Sequence, residues 1–512
     1  MSSSRLASTR TKLARPTRPK AMVIAYAGFA YRMAGLTKHN FFNQRNLEMN
    51  HREHLTAMRK ELAVAAITIG LAVSSVCVAQ ETVIHTFKGD SGTDGSFPSS
   101  GMVFDANGNL FGTTSAGGVG EFADGTVFEM SPNSNTGFKF QTIHYFSQAR
   151  GDGANPGSSV VFDAAGNLYG TTPNGGNGCG IVYELSPPAT AGGAWTETIL
   201  HKFDSSGNDG CNPSGRLIFD QAGDLFGGTY VGGGGVTSLL FCSNGCGTTY
   251  KLHLADGKWT ESVLHRFTGE GTDGDNPSGS LAFDAAGNLW GATAFGGAGD
   301  SSTCGDPNGG AGQCGTVFEL SPNADGSWTE STRYSFKDAS TGWNPFSGVI
   351  ADQAGNLVGT TENGGSALDG TVFQIIPKGN GKVEESLIHE FVGEADGSFP
   401  QSGLTLGAAG TLYGTAYVGG GTAFTCTKDS GGGCGIVFKL TPSSDGSSWT
   451  ETILYTFLGG SDGAIPLDDT LALDANGDVF GSASSGGDFD VKKTGCPGNL
   501  PGGCGVAFEV HQ

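Results

Sequence analysis

A β-branched segment closing on Phe recurs seven times along this chain, and that repetition limits the fold more than any other feature. The copies are 81–87 (ETVIHTF), 141–146, 197–203, 261–267, 330–336, 385–391 and 451–457, and their terminal Phe residues lie 59, 57, 64, 69, 55 and 66 residues apart. Each copy is followed by an Asp-Gly-x-x-Pro loop, such as Asp94-Gly95 with Pro98; the fifth has Gly342-Trp343-Asn344-Pro345 instead. A hairpin signature comes next, FDAAGNLYGTT at 162–172, whose Asp-x-x-Gly-Asn turn places Gly where φ is positive. A Gly-Gly pair and a third segment of the type GTVFEM (125–130) complete the unit.

Four short strands per unit, repeated seven times, predict a propeller. Composition agrees: 88 Gly would suggest disorder, but 32 Phe and only 15% charged residues argue for packed strands. Strict alternation puts Val83 and His85 on one side of the fourth strand and Ile84 on the other, so both faces are apolar, as blades stacked on both sides require. An open solenoid or β-helix is the alternative. The chain ends favour a ring, because the last unit stops after its third strand while 81–87 is an orphan fourth strand. The expected fold is therefore all-β, a seven-bladed β-propeller of four-stranded antiparallel blades closed by strand 81–87. Its blades would be 100–146, 158–203, 215–267, 279–336, 347–391, 402–457, and 469–512 completed by 81–87.

The multi-part signature GNLYGTT-x-x-GG, GTVFEL and WTETILHKF resembles the GloVer (Gloeobacter–Verrucomicrobia) tandem repeat of "choice-of-anchor" exported bacterial proteins, over about residues 81–512. The resemblance implies an exported repeat protein and brings no catalytic residues to this chain. Many relatives look to end in a sorting anchor, whereas this sequence ends on its last strand.

Met58-Arg59-Lys60, the apolar run 62–76 and the small residues Cys77 and Ala79 read as a signal peptide over 58–79, cleaved before Gln80. Val76 stands where a lipobox needs a small residue, so Cys77 is not expected to carry lipid. Residues 1–57 are basic and patternless, and translation is expected to start at Met49 or Met58. Residues 1–79 hold 12 of the 28 Lys+Arg and 3 of the 49 Asp+Glu, which leaves a net −30 on 80–512. So acidic a surface repels phosphate backbones and excludes nucleic acid as a partner. The expectation is a secreted (extracellular or periplasmic) monomer with no membrane insertion after signal removal, no cofactor, and a glycan or protein as partner.

Ten of the 11 Cys remain after Cys77 is removed. Four local pairs, Cys242–Cys246, Cys304–Cys314, Cys426–Cys434 and Cys496–Cys504, leave Cys179–Cys211, whose loops emerge on one face of a four-stranded blade. Thiolate metal binding is the weaker reading, since paired CxxC knuckles are missing. The long insertions fall on that same face, the candidate binding surface.

Aromatics in its connections, Phe97, Tyr230, Phe295, Trp343, Phe399 and Tyr417, are ligand-binding candidates. Charged residues near the starts of the innermost strands, Arg216, Asp468 and Asp469, join them. Neighbouring acids on one strand point to opposite faces and make no glycosidase pair, so no catalytic residues are assigned. A carbohydrate-active hydrolase or lyase on the propeller is the alternative. His85, His144, His201, His265 and His389 share one repeat position with Tyr334 and Tyr455, and read as polar-tipped aromatics packed between blades, too far apart to share a metal. No metal is expected there. Asp94, Asp152, Asp209, Asp273, Asp396 and Asp462 of the Asp-Gly loops could supply calcium ligands, but turn chemistry explains them as well. Thiol titration of the denatured, unreduced exported chain should find none free, and ten after reduction; free thiols before reduction would contradict the pairing.

Overall fold

The computed structural model describes residues 80–512 apart from 90–92, 120–123, 136, 191, 205–207, 235–244, 300–303, 305–313, 422–425, 427–432, 468–469, 488–495 and 497–502. Among these residues there is no α-helix, and none long and apolar enough to cross a membrane. Seven antiparallel blade sheets follow one another along the chain, each ordered from an innermost to an outermost strand, and a short two-stranded sheet pairs Gly153–Ala154 with Asn174–Gly175. The third blade, for example, runs Cys211–Phe219, Leu225–Val231, Thr248–Ala255 and Lys258–Arg266. The seventh blade takes its fourth strand from the other end of the sequence. Glu81–Thr86 pairs antiparallel with Val506–Val510, with Glu81 opposite Val510 and Thr86 opposite Val506. This closes the seven-bladed propeller and gives the last strand a partner on its open side.

The turns between first and second strands form for local reasons. In the first blade, Asp105 accepts hydrogen bonds from the backbone N–H groups of Asn107 and Asn109, both at 2.8 Å, and Gly108 sits at φ +82. The sixth turn lacks the Asp, and Ala409 adopts φ +54 beside Thr411, whose hydroxyl donates to the Ala408 carbonyl.

Two repeated contacts join each blade to the next. The terminal Phe of each fourth strand is fully buried and meets an aromatic ring on the third strand of the following blade. The pairs are Phe87–Phe128, Phe146–Tyr183, Phe203–Tyr250, Phe267–Phe318, Phe336–Phe373, Phe391–Phe438 and Phe457–Phe508, with ring centroids 5.0–5.4 Å apart. The Gly of the GTT signature makes room for the ring: a Cβ on Gly291 would lie 2.5 Å from Phe318.

The second contact is a proline seated on a glycine. Pro98, Pro156, Pro213, Pro277, Pro345, Pro400 and Pro466 pack on Gly505, Gly125, Gly180, Gly247, Gly315, Gly370 and Gly435, each Gly preceding or opening the third strand of the previous blade. These glycines hold φ between +95 and +105, and a Cβ on Gly315 would stand 2.6 Å from Pro345 Cδ.

One expectation is corrected. Val83 pairs with Phe508 and His85 with Ala507, so Ile84 is an extra, bulged residue. Val83 therefore packs among residues of blades six and seven, while Ile84 joins Phe87, Phe128 and Met102 on the other side and His85 stacks on Phe140. The same register shift occurs at the equivalent place in all seven blades. Val83 and His85 lie on opposite faces because one inserted residue reverses every side chain beyond it.

Disulfides join Cys179–Cys211, Cys304–Cys314, Cys426–Cys434 and Cys496–Cys504. Cys246 is disulfide-bonded as well, and Cys242 lies outside the described residues. Gly315→Ala should lower stability by at least about 3 kcal/mol, whereas Gly287→Ala, at an open turn tip, should cost about 1 kcal/mol. Urea midpoints of the two variants check this; equal losses would contradict the seat.

Candidate functional site

The loop-bearing face is built around the residue that precedes each of the seven prolines. All seven, Phe97, Asn155, Asn212, Asn276, Asn344, Phe399 and Ile465, sit in the left-handed region at φ +55 to +61. Asn tolerates this conformation, and the four Asn amides donate to carbonyls of the preceding blade: Ser115, Pro173, Tyr230 and Ala294, at 2.7–3.0 Å. Phe97, Phe399 and Ile465 have no such amide and carry a conformation costly for bulky side chains.

All six aromatic candidates are half-buried and spread around the ring rather than gathered in one place. Tyr230 lends its carbonyl to Asn276. Phe295 lies edge-on to Phe346 with centroids 6.0 Å apart, and Trp343 and Tyr417 pack on interblade cores beside Cys314 and Cys434. Phe399 and Tyr417 are brought together through a backbone hydrogen bond.

At the axis the innermost strands touch. The Ser280 N–H donates to the Ser347 carbonyl at 3.0 Å, Val349 N–H to Ser280 at 3.1 Å, and Leu471 N–H to the Thr405 hydroxyl at 2.9 Å. Toward the turn-bearing face a cavity of about 410 Å³ remains, and Arg216 lines it with Thr405, Thr470 and apolar residues of blades one, five, six and seven. Asp468 and Asp469 lie outside the described residues.

The structure also assembles side chains that the sequence reading left apart. Because the bulge puts the first residue of the fourth strand and the His four positions later on opposite faces, the His of one blade faces the Glu of the next. The Asp of the intervening Asp-Gly loop joins them. Six junctions carry a Glu on this plan: His144–Asp152–Glu197, His201–Asp209–Glu261, His265–Asp273–Glu330, Tyr334–Glu385 without the Asp, His389–Asp396–Glu451, and Tyr455–Asp462–Glu81. Where the seventh blade meets the first, His85 pairs with Asp94 and stacks on Phe140, which stands where the others place Glu. The Tyr455–Asp462–Glu81 junction is completed by the N-terminal strand. A signal was present in the sequence, since Glu stands four residues before the His or Tyr in six of the seven copies of the fourth segment, with Phe140 at that position in the first blade. Without the bulge, that spacing reads as one face.

Each Asp also caps its own loop. Lys88 N–H donates to Asp94, Thr268 N–H to Asp273, Val392 N–H to Asp396 and Leu458 N–H to Asp462. Burial, reinforced by the neighbouring Asp charge, pushes the Glu carboxyls up: Glu81 and Glu261 to about 7, Glu197 to about 8 and Glu451 to about 9. Burial would raise Asp152 too, but His144, the proton held on Glu197 and the Gly153 N–H outweigh it and hold that carboxyl low.

A carboxyl raised on folding keeps its proton in the native chain after the unfolded chain has lost it. Its contribution to stability is complete below about pH 4.5 and is lost as pH climbs to about 7. The double variant Glu81→Gln/Glu261→Gln, which replaces each carboxyl by a neutral amide of the same size, should melt above the parent at pH 8 and show a flatter decline from pH 5 to 8. Parallel melting curves for the two proteins would contradict this.

Several solved structures are similar. A Bacteroides uniformis protein named as a 6-phosphogluconolactonase aligns at 11% identity over 73% of this chain and 95% of its own, with a TM-score of 0.44. The extracellular domain of a protein named as a hybrid two-component system, from B. thetaiotaomicron, aligns at 12% identity over 83% of this chain and 41% of that one, at 0.43. A luciferin-regenerating enzyme aligns at 13% identity over 66% and 88%, at 0.35. Likenesses at this level assign no activity to the chain. No curated protein sequence matches it. The model of the Gloeobacter/Verrucomicrobia repeat matches residues 71–304 and 242–494, spanning all but the end of the propeller. With its recurrent hairpin, glycine pair and closing Phe, the chain belongs to the Gloeobacter/Verrucomicrobia repeat family.

Proposed function

We propose that this protein is exported and works outside the cytoplasm as a non-catalytic binding or structural module, recognising a glycan or a protein on its disulfide-stapled loop face. The observation that carries the reading is Phe97 and Phe399, two bulky aromatics held at φ +55 and +56 on that face where four of the other five blades place Asn. Strain of this kind persists where the surrounding structure over-determines it, and such residues cluster at ligand clamps. Aromatic rings with one free face stack on sugars or anchor a protein partner. Two of the disulfides end next to glycine seats of this face, at Cys314–Gly315 and Cys434–Gly435, and stiffen the loops beside the aromatics. Such bridges form in an oxidising compartment, in keeping with the signal peptide read at 58–79.

The axis favours binding over hydrolysis. Glycosidase chemistry places two carboxyl groups about 5–10 Å apart across a cleft, whereas the described lining of the axial cavity is apolar residues, threonines and Arg216. Full-length oxidised protein on a glycan array should bind a discrete set of glycans, and Phe97→Ala/Phe399→Ala should weaken that binding by at least about 10-fold. EDTA-sensitive binding restored by calcium would move the site to the Asp-Gly loops, and release of shortened glycan would make the protein an enzyme.

A further inference from the structure

Two of the seven blade junctions differ from the others in a way that points to a ligand. Where His85, His201 and His265 meet their Asp partners, Nε2 lies at hydrogen-bond distance, 3.0, 3.0 and 3.2 Å. In the first-to-second and fifth-to-sixth junctions the His stands back. His144 Nε2 is 3.4 Å from Asp152 and 3.8 Å from Glu197. His389 Nε2 is 3.5 Å from Asp396 and 3.6 Å from Glu451. In both places the His Nε2 is shielded from solvent and makes no hydrogen bond. Orphaned buried polar atoms are costly, and each of these two nitrogens stands against the same pair of residue types, an Asp and a Glu.

We propose that these two junctions are divalent transition-metal sites of the zinc type, each held by one His nitrogen and two carboxylate oxygens: His144, Asp152 and Glu197 in one, His389, Asp396 and Glu451 in the other. The distances fit. Four-coordinate zinc with bonds of about 2.0–2.2 Å sets its ligand atoms roughly 3.3–3.6 Å apart, close to the His-to-carboxylate distances of 3.4–3.8 Å in the two trios. The ligand set selects the metal class: imidazole with carboxylate suits zinc and its neighbours, whereas calcium takes six to eight oxygens. Three protein ligands leave a fourth position for water, and the trios are not sealed, with side-chain exposures of 12–21%.

The supporting shell is in place. Ser147 N–H and Gly153 N–H donate to Asp152, Val392 N–H donates to Asp396, and Phe146 and Phe391 lie edge-on to the two imidazoles at 4.6 and 4.7 Å. Each site would tie a fourth strand, an Asp-Gly loop and the next blade together, as a cross-link between blades.

Equilibrium dialysis of full-length, EDTA-stripped, oxidised protein against Co²⁺ tests the proposal, with the cobalt visible spectrum reporting geometry. Two Co²⁺ per chain should bind with a low-symmetry, four-coordinate spectrum, and zinc should displace them and raise the melting temperature. His144→Ala and His389→Ala should each abolish one site, weakening it by more than about 100-fold. The double variant should bind neither ion, while His201→Ala, at a hydrogen-bonded junction, keeps both. If the double His variant does not fold, Glu197→Gln/Glu451→Gln carries the same test, since the amide keeps the volume of the side chain and removes its carboxylate. No bound cobalt, or binding that survives these double variants, overturns the assignment and leaves a shared proton as the only occupant.

Discussion

The structure depends on a steric constraint repeated at every junction: a proline of one blade fills the space above a glycine of the blade before it. The glycine must have no side chain, because Pro Cδ stands where a Cβ would be, and it must reach φ near +100, which L side chains rarely adopt. The residue before each proline is in turn driven into the left-handed region. Nearby, the closing Phe of each fourth strand is inserted against the next blade's aromatic ring, and its backbone N–H donates to the same seat glycine at six of the junctions, as Phe336 does to Gly315. The high glycine content is thus a packing requirement, set by how closely neighbouring backbones and rings approach.

The bulge in the fourth strand has a second consequence. A regular strand would put Glu and His on one face and leave each blade with a polar face and an apolar one. The extra residue sends the Glu backward and the His or Tyr forward around the ring, so six of the seven junctions receive one of each. Polar side chains that would be costly alone are thereby gathered with the Asp that caps the loop between them. In the closing junction Glu81 supplies the carboxyl, so the N-terminal strand completes a polar station as well as a sheet.

The sequence made the strand count, the sevenfold repeat and the ring closure readable, because each rests on a local pattern that recurs: the closing Phe, the Asp-x-x-Gly-Asn turn, the glycine pair. The Cys179–Cys211 bridge was readable for the same reason, since four strands bring those loops to one face. The interblade trios were not. Their His and Glu members lie 53 residues or more apart, as His144 and Glu197 do, and the bulge that brings them together leaves no composition signal, since an inserted Ile or Leu looks like any other strand residue. The left-handed residue before each proline was equally hidden, because Phe97 and Phe399 give no hint of a conformation that Asn adopts in their place. Rim aromatics could be named from their positions, but their wide spacing around the ring follows from the sevenfold geometry.

Closure of the ring by the first strand is the claim on which both faces and all seven junctions rest. Hydrogen exchange resolved to single amides measures it directly. The strand-pairing amides of Glu81–Thr86 and the Phe87 N–H, which donates to the Gly505 carbonyl, should exchange as slowly as the corresponding amides of Trp449–Thr456 in the sixth blade. Exchange of 81–87 at the rate of an unpaired segment, with 506–510 unprotected beside it, would contradict the account.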